Sequence, residues 1–137
     1  MIILSVDLGK ARTGLAICDK TEMLATPLAQ ISEKKPSALL DKVANVAVAH
    51  QAELIVVGLP KNMDGTEGDS AKYARDFAHK LMEKTGITVR LQDERGTTIT
   101  ANNYLNATNT RGKKRKNVVD SVAATIILQN YLDSNNR

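Results

Sequence analysis

"IILSVDLGKARTGLAICD" (residues 2–19) opens the chain with two short apolar segments joined by a basic loop with a glycine at each end. Residues 2–8 and 14–19 have the length and the β-branched content typical of strands. Because so few residues separate them, the two strands must pair as an antiparallel hairpin. Residues 23–31 predict a third strand, and Pro27 indicates an edge strand or a bulge.

After these strands the apolar pattern becomes helical and then alternates between helix and strand. In chain order we predict a helix over 36–51, a strand over 52–60, a loop over 61–69, a helix over 70–84 ended by Gly86, a strand over 87–93, a helix over 97–107, a basic loop over 109–116 and a terminal helix with its apolar stripe at 119–127. The order β-β-β-α-β-α-β-α-α implies an α/β fold. Its mixed sheet of about five strands has three antiparallel strands and two added through helical crossovers.

Length and composition limit the class of protein. A chain of 137 residues favours a single domain over 1–137. The net charge of +4 permits a polyanionic partner, while four aromatic residues are too few for a platform on which several bases stack. Cys18 is the one cysteine, which fits a reducing compartment, and we expect a cytoplasmic protein. No apolar stretch is long enough to span a membrane, and residues 1–7 do not resemble a secretory signal.

Asp7 lies at the carboxyl end of a strand that we expect to be central. In an extended strand Ser5 and Asp7 share one face of the sheet, and Val6 faces the other side. A carboxylate there is costly unless it is paired or binds a metal. The alternative is that Asp7 caps the turn at Gly9.

Two further acids end elements of the same fold. Glu94 follows the fifth strand, and because Asp93 and Glu94 point to opposite sides, at most one of them faces Asp7. Asp93 could instead pair with Arg95. Asp120 flanks the apolar stripe of the terminal helix, or it is simply a favourable acid in the first turn of a helix capped by Asn117.

Three acids at the ends of elements, without a Cys/His cluster or a Ser/His pair, indicate a site for a hard cation. Carboxylate oxygens suit Mg²⁺ or Mn²⁺, which act mainly on phosphate substrates. Two such ions about 4 Å apart can activate water and stabilise the leaving oxygen in phosphodiester hydrolysis.

Cations and one amide side chain lie near these acids in the predicted fold and are candidates for binding the nucleic-acid backbone. The alternative is that they are ordinary solvated side chains. The candidates are Lys10 and Arg12 after the first strand, Lys61 and Asn62 after the fourth, Arg95 after the fifth, and the run Arg111, Lys113, Lys114, Arg115 and Lys116 before Asp120.

Four blocks in order resemble the bacterial YqgF/RuvX family: SVDLGKARTGLAICD (5–19), VVGLPKNMDGTEGD (56–69), QDERGTT (92–98) and KRKNVVDSVAATIILQNYL (114–132). The resemblance implies an RNase H-like fold related to the Holliday junction resolvase RuvC, with Asp7, Glu94 and Asp120 as the acidic site. It also implies a metal-dependent nuclease that processes the 5′ end of pre-16S rRNA, acting on structured RNA and on pre-ribosomal particles. Gly96 and Asp69 depart from the residues that family members often carry, and neither change removes a candidate ligand.

Three other functions remain open from the sequence. The same chemistry on four-way DNA would make the protein a Holliday junction resolvase, which favours a homodimer over a monomer because paired cuts are needed. VDLGKARTG also resembles the first phosphate loop of actin-like kinases, but those proteins need two such lobes around the nucleotide. The last alternative is a non-catalytic RNA-binding module with a vestigial site.

Overall fold

The computed structural model describes residues 1–94 and the backbone of 112–135, with side chains in that last helix from 122 to 134. The predicted helix over 97–107 lies outside the described residues. The elements are β1 (Ile3–Leu8), β2 (Thr13–Cys18), β3 (Ala25–Ile31), α1 (Pro36–Ala49), β4 (Leu54–Leu59), α2 (Asp69–Thr85), β5 (Thr88–Asp93) and α3 (Gly112–Asn135).

The five strands form one mixed sheet in the order β3-β2-β1-β4-β5. β1 pairs antiparallel with β2, and β2 antiparallel with β3. β4 pairs parallel with β1 on its other side, and β5 parallel with β4, each reached through a helix. The predicted mixed five-stranded sheet is therefore confirmed, and β1 is its central strand.

β3 is the edge strand that Pro27 indicates. Leu15 of β2 pairs with Ala29, but the next residue, Ala16, pairs with Pro27. Leu28 is thus an extra residue, as in a β-bulge. Both interpretations offered for Pro27, an edge and a bulge, hold together, because proline has no N–H with which to continue the ladder.

The two faces of the sheet are covered by different helices. Leu4, Val6 and Leu15 face a core with α1 and α2, which includes Phe77 and Leu81. The opposite face packs against α3. Its core comprises Ile3, Ala16, Cys18, Ala25, Leu54, Val56, Ala124, Ile127, Leu128 and Leu132. Because strand side chains alternate, Asp7 lies on the α3 face with Ile3 and Ser5.

Helix ends follow the local chemistry of the chain. Pro36 occupies the first turn of α1, and α1 stops at Ala49, shortly before Gln51 takes a positive φ of 58°. Gly86 ends α2 in the left-handed conformation, with a φ of 72°, and its N–H donates to the Met82 carbonyl. No helix among the described residues is long and apolar enough to cross a bilayer.

The basic segment before Asp120 differs from the prediction. We expected a loop over 109–116, but α3 begins at Gly112, so the lysines and arginine of 113–116 belong to a helix. Lys and Arg are good helix formers, and a run of them does not break a helix as glycine or proline does. Asn117 is therefore not an N-cap, and Asp120 lies more than two turns inside α3 rather than in its first turn.

Candidate active site

Asp7 lies on the α3 face near the carboxyl end of β1, and glycines lie on the strands at both sides. On β2 its partner is Gly14. On β4 the parallel register reaches Val6 beside Val57, so Gly58 follows at the level of Asp7. Neither neighbour has a side chain, so groups from other elements can approach the sheet beside the carboxylate.

Glu94 reaches this carboxylate from the end of β5. Its N–H donates to the Leu59 carbonyl at 3.2 Å, which extends the β4–β5 ladder by one residue beyond Asp93. The Glu94 side chain is hydrogen-bonded to Asp7. Asp93, the alternative acid, is exposed. The pairing of Asp93 with Arg95 lies outside the described residues.

The Asp7 and Glu94 carboxyl groups influence each other's protonation. Burial, followed by the charge of Asp7 and the hydrogen bond with it, raises the pKa of Glu94 to about 8 from an ordinary 4.5, with a smaller effect of Asp93. A hydrogen bond between two carboxyl groups needs one of them protonated, and the raised pKa gives that proton to Glu94. In the absence of a cation Glu94 is therefore protonated at neutral pH.

Gly58 lies directly beneath the Glu94 carboxyl group. A Cβ placed on Gly58 would be less than 3.0 Å from Glu94 Oε2 and 3.1 Å from its Cδ. It would also be 2.7 Å from Cδ1 of Ile127, which reaches the same space from α3. The carboxyl group and the isoleucine methyl together occupy the volume that a side chain at position 58 would need.

Ser5 fastens α3 to the central strand. Its hydroxyl, fully buried, donates to the Ala124 carbonyl at 2.8 Å. Further along the helix, Gln129 accepts from the Ala25 N–H at 2.9 Å and donates to the Met23 carbonyl at 3.1 Å. Along α3, Ala124 thus contacts the middle of β1, and the later residue Gln129 contacts the first residue of β3. Because β3 runs in the same direction as β1, the helix advances toward the start of these strands and runs antiparallel to β1.

The predicted cations after β1 differ in environment. Lys10 is exposed, whereas Arg12 is half-buried. The Arg12 Nη1 atom is excluded from solvent and has no hydrogen-bond partner within the described part of the chain. A buried guanidinium nitrogen without a partner is unusual, and an anion could accept a hydrogen bond from it.

The residues after β4 form a compact turn. Lys61 bridges to Glu67 through the backbone, and the Asn62 side chain donates to Thr66 Oγ1 at 2.8 Å. Thr66 in turn donates to Asp64 at 2.7 Å. The Asn62 side chain therefore stabilises its own turn in this structure.

The remaining predicted residues lie beyond the described side chains. Arg95 and Arg111 lie outside the described residues, and Asp120, Lys113, Lys114, Arg115 and Lys116 are described only as helix backbone. Among the described side chains no three His, Cys, Asp or Glu residues are close enough together to hold a metal ion. Two of the three predicted acids, Asp7 and Glu94, do come together.

Sequence reasoning gave no role to three residues of this site: Ser5, Gly14 and Gly58. The signal for Gly58 was present, because a glycine inside the apolar run 52–60 marks a bulge or a close approach of another group. Ser5 gave a similar signal as a hydroxyl in an apolar strand, since a buried hydroxyl needs a partner. The fold is needed to identify their partners, which are Glu94 for Gly58 and Ala124 for Ser5.

Solved structures share this fold. RuvC of Thermus thermophilus superimposes with a TM-score of 0.60 at 13% identity, covering 99% of this chain and 96% of RuvC. The Holliday junction resolvase of fowlpox virus in complex with junction DNA gives 0.59 at 16% identity over 100% of both chains. The chain therefore has the RNase H-like fold of the resolvases.

Sequence similarity assigns the chain to one family with this fold. A model of the RuvX family, described as "Holliday junction resolvase", matches residues 1–134, and the chain belongs to this family. A protein of Nitrosospira multiformis is 40% identical over 133 residues, 97% of this chain and 88% of its own length. One of Halothermothrix orenii is 40% identical over 137 residues, covering 100% and 98%. Both relatives carry the name "Putative pre-16S rRNA nuclease".

Proposed function

We propose that this protein is a metal-dependent nuclease that hydrolyses phosphodiester bonds, with Asp7, Glu94 and Asp120 as catalytic residues and ligands of Mg²⁺ or Mn²⁺. The observation that carries the proposal is the half-buried, hydrogen-bonded Asp7–Glu94 carboxyl pair at the carboxyl end of the central strand. Ligands of α/β sheets bind at this edge. Residues 1–137 would form the single domain that holds the site.

The carboxyl pair suits a hard divalent cation. Its donors are oxygens, which Mg²⁺ and Mn²⁺ prefer. Two carboxylates so close repel each other, as the raised pKa of Glu94 reflects, and a bound cation offsets that repulsion. The same neighbourhood that holds a proton on Glu94 in the free protein would therefore hold a cation when one is available.

Helix geometry supports Asp120 as the third ligand. Position 120 lies four residues before Ala124, about 6 Å along a helix axis. Asp7 lies two residues beyond Ser5, about 7 Å along a strand. Because α3 runs antiparallel to β1 and the two are joined by the Ser5–Ala124 hydrogen bond, Asp7 and the backbone of residue 120 lie at a similar height above the sheet centre.

The proposed roles divide between acids and cations. A bound Mg²⁺ would supply an activated water and stabilise the leaving oxygen. Asp7 and a deprotonated Glu94 would hold the ion, and Asp120 would complete the set from α3. Lys10 and Arg12, in the loop after Asp7, would hold the substrate phosphate, and the unpartnered Arg12 Nη1 is the donor with most to gain from it.

We propose structured RNA as the substrate, and within it the 5′ end of pre-16S rRNA. The names of the two relatives support this choice. The cations of 111–116, with Lys61, Asn62 and Arg95, would bind the RNA backbone and give affinity rather than sequence choice. Pre-ribosomal particles in the cytoplasm are then the place of action, and the protein works as a monomer or a homodimer.

Four-way DNA is the second candidate substrate. The description of the matched family, "Holliday junction resolvase", favours it. Resolution of a junction requires two symmetric cuts, so this function needs a dimer. A protein that stays monomeric with junction DNA would exclude this candidate and leave the RNA substrate.

Cleavage of both substrates by the same preparation tests the proposal. We expect Mg²⁺- or Mn²⁺-dependent cleavage of precursor rRNA by the wild type and loss of at least roughly 100-fold in Asp7→Asn. Asp76→Asn is the matched control, because Asp76 lies on the surface of α2 in a pair with Lys80 and should retain full activity. Equal cleavage by the wild type and Asp7→Asn would contradict the proposal.

A further inference from the structure

We propose that Gly58 is a positioning residue for Glu94: the absence of a side chain at this position of β4 creates the space through which the Glu94 carboxyl group reaches Asp7. The inference deepens the proposed function, since it rests on Glu94 as a metal ligand. Gly58 has no side chain, so its proposed role is to leave space and not to contact the metal or the substrate.

Backbone conformation does not explain this glycine. Among the described glycines the positive φ angles belong to Gly65 and Gly86. Gly58 lies inside the regular β4 strand and pairs in register with Gln92 of β5. Any residue can adopt that conformation, so the need for glycine here comes from space.

The space above Gly58 is filled from two sides. Glu94 Oε2 would be less than 3.0 Å from an added Cβ, whereas ordinary contact begins at 3.4 Å. Ile127 Cδ1 would be 2.7 Å away, and Ile127 is buried in the α3 core. Even alanine, the smallest substitution, therefore forces the carboxyl group, the isoleucine or both to move.

The carboxyl group is the more consequential of the two. Its backbone is fixed by the hydrogen bond to Leu59, so the side chain must absorb most of the movement. Clearing the added Cβ requires a shift of roughly 1 Å, and a misplacement of this size in an active site can cost about 100-fold in rate. We expect the shift to separate Glu94 from Asp7.

A purely structural role for Gly58 predicts something different. If the glycine only makes room for Ile127, then shortening Ile127 should restore whatever Gly58→Ala loses. If it makes room for Glu94, shortening Glu94 should restore it. Glu94→Asp removes one methylene and draws the carboxyl group back from the added Cβ.

The experiment compares Mn²⁺ affinity by calorimetry for wild type, Gly58→Ala, Glu94→Asp and the double variant Gly58→Ala/Glu94→Asp. We expect Gly58→Ala to weaken Mn²⁺ binding by roughly 10-fold or more, and the double variant to bind at least about threefold more tightly than Gly58→Ala. Glu94→Asp alone should be weaker than wild type, so that the same change has opposite effects in the two backgrounds. Gly68→Ala is the matched control and should bind as wild type, because a Cβ there meets nothing within 4 Å.

Wild-type Mn²⁺ affinity in Gly58→Ala, or recovery by Ile127→Val but not by Glu94→Asp, would overturn the inference. If Gly58→Ala does not fold, Gly58→Ala/Ile127→Val relieves the apolar clash and serves as the background for Glu94→Asp. A wild type that binds no Mn²⁺ speaks against the proposed function. The positioning role is then judged by metal-free crystal structures, where Glu94 still bonded to Asp7 in Gly58→Ala would refute it.

Discussion

Glu94→Gln should stabilise the metal-free protein at alkaline pH and leave its stability unchanged in acid. The folded state raises the pKa of Glu94 from 4.5 to about 8. Between these values the folded protein holds a proton that the unfolded chain releases, so the free energy of unfolding falls as the pH rises through this window. Above it the folded state carries two adjacent, half-buried charges.

The size of this effect follows from the pKa values. At about 1.36 kcal/mol for each pH unit, moving a pKa from 4.5 to about 8 corresponds to at most ~5 kcal/mol of lost stability. Glutamine resembles the protonated acid, since its amide can donate to Asp7 at every pH. The variant therefore avoids the loss, and its advantage over wild type should grow from near zero at about pH 4.5 to several kcal/mol at about pH 8.5.

Urea unfolding of both proteins at these two pH values, with divalent cations removed by a chelator, measures the difference. Glu83→Gln, an exposed acid on α2, is the control and should differ from wild type by less than about 0.5 kcal/mol at either pH. A stability difference between Glu94→Gln and wild type that is independent of pH would refute the raised pKa of Glu94.

Three further predictions concern the cation, helix α3 and the substrate. Millimolar Mg²⁺ should raise the thermal midpoint of the wild type at about pH 8.5, since it binds the folded site, and the rise should vanish in Asp7→Asn. Ser5→Ala leaves the Ala124 carbonyl without its partner and should cost about 1–3 kcal/mol in urea unfolding, while Ser70→Ala, on the surface, should cost nothing measurable. The affinity for precursor rRNA should fall with salt concentration, and replacing residues 113–116 by alanine should make this fall less steep. The slope of log affinity against log salt concentration should become less negative by roughly 0.7–0.9 for each phosphate that the protein no longer neutralises.

Much of the fold could be predicted from the order of its elements. The hairpin over 2–19 and the bulged edge strand with Pro27 follow from short connections and from the missing N–H of proline. The parallel direction of β4 and β5 follows from helical crossovers, which join parallel strands, whereas the place of β4 beside β1 does not. The start of α1 at Pro36 is confirmed, whereas its end and both ends of α2 differ by one or two positions from the prediction, because a terminal residue depends on capping geometry.

The basic run before Asp120 shows where composition misleads. A cluster of like charges is typical of a solvated loop, and we predicted one over 109–116. The same residues have high intrinsic helix propensity, and the apolar stripe that follows supplies the packing that lets a helix extend backwards over them. Charge patterning and helix propensity point in opposite directions here, and only the fold decides between them.

The pairing of Asp7 with Glu94 could be anticipated only as far as the sheet edge. Both residues end strands whose carboxyl ends lie at the same edge, which the element order implies. Which of two adjacent acids faces Asp7 depends on the register of β5, and one residue of slippage would exchange them. The hydrogen bond from Glu94 to Leu59 fixes that register, and no local feature of QDERGTT contains this information.

The acidic pair lowers the stability of the metal-free protein, and the neighbouring strand positions do not offset this loss with a positive charge. Two carboxyl groups on the apolar α3 face weaken the metal-free fold at alkaline pH, and the strands on either side of Asp7 place glycine, not a cation, at the neighbouring positions. Gly14 and Gly58 place no side chain of their own beside Asp7. Glu94 and Ile127 fill the space above Gly58, and Ser5 bonds α3 to β1 two residues before Asp7. A basic side chain beside Asp7 would stabilise the metal-free protein by pairing with it, but it would also compete with a divalent cation for the carboxylate oxygens. The absence of a basic side chain at these two strand positions is therefore what a site for a divalent cation requires.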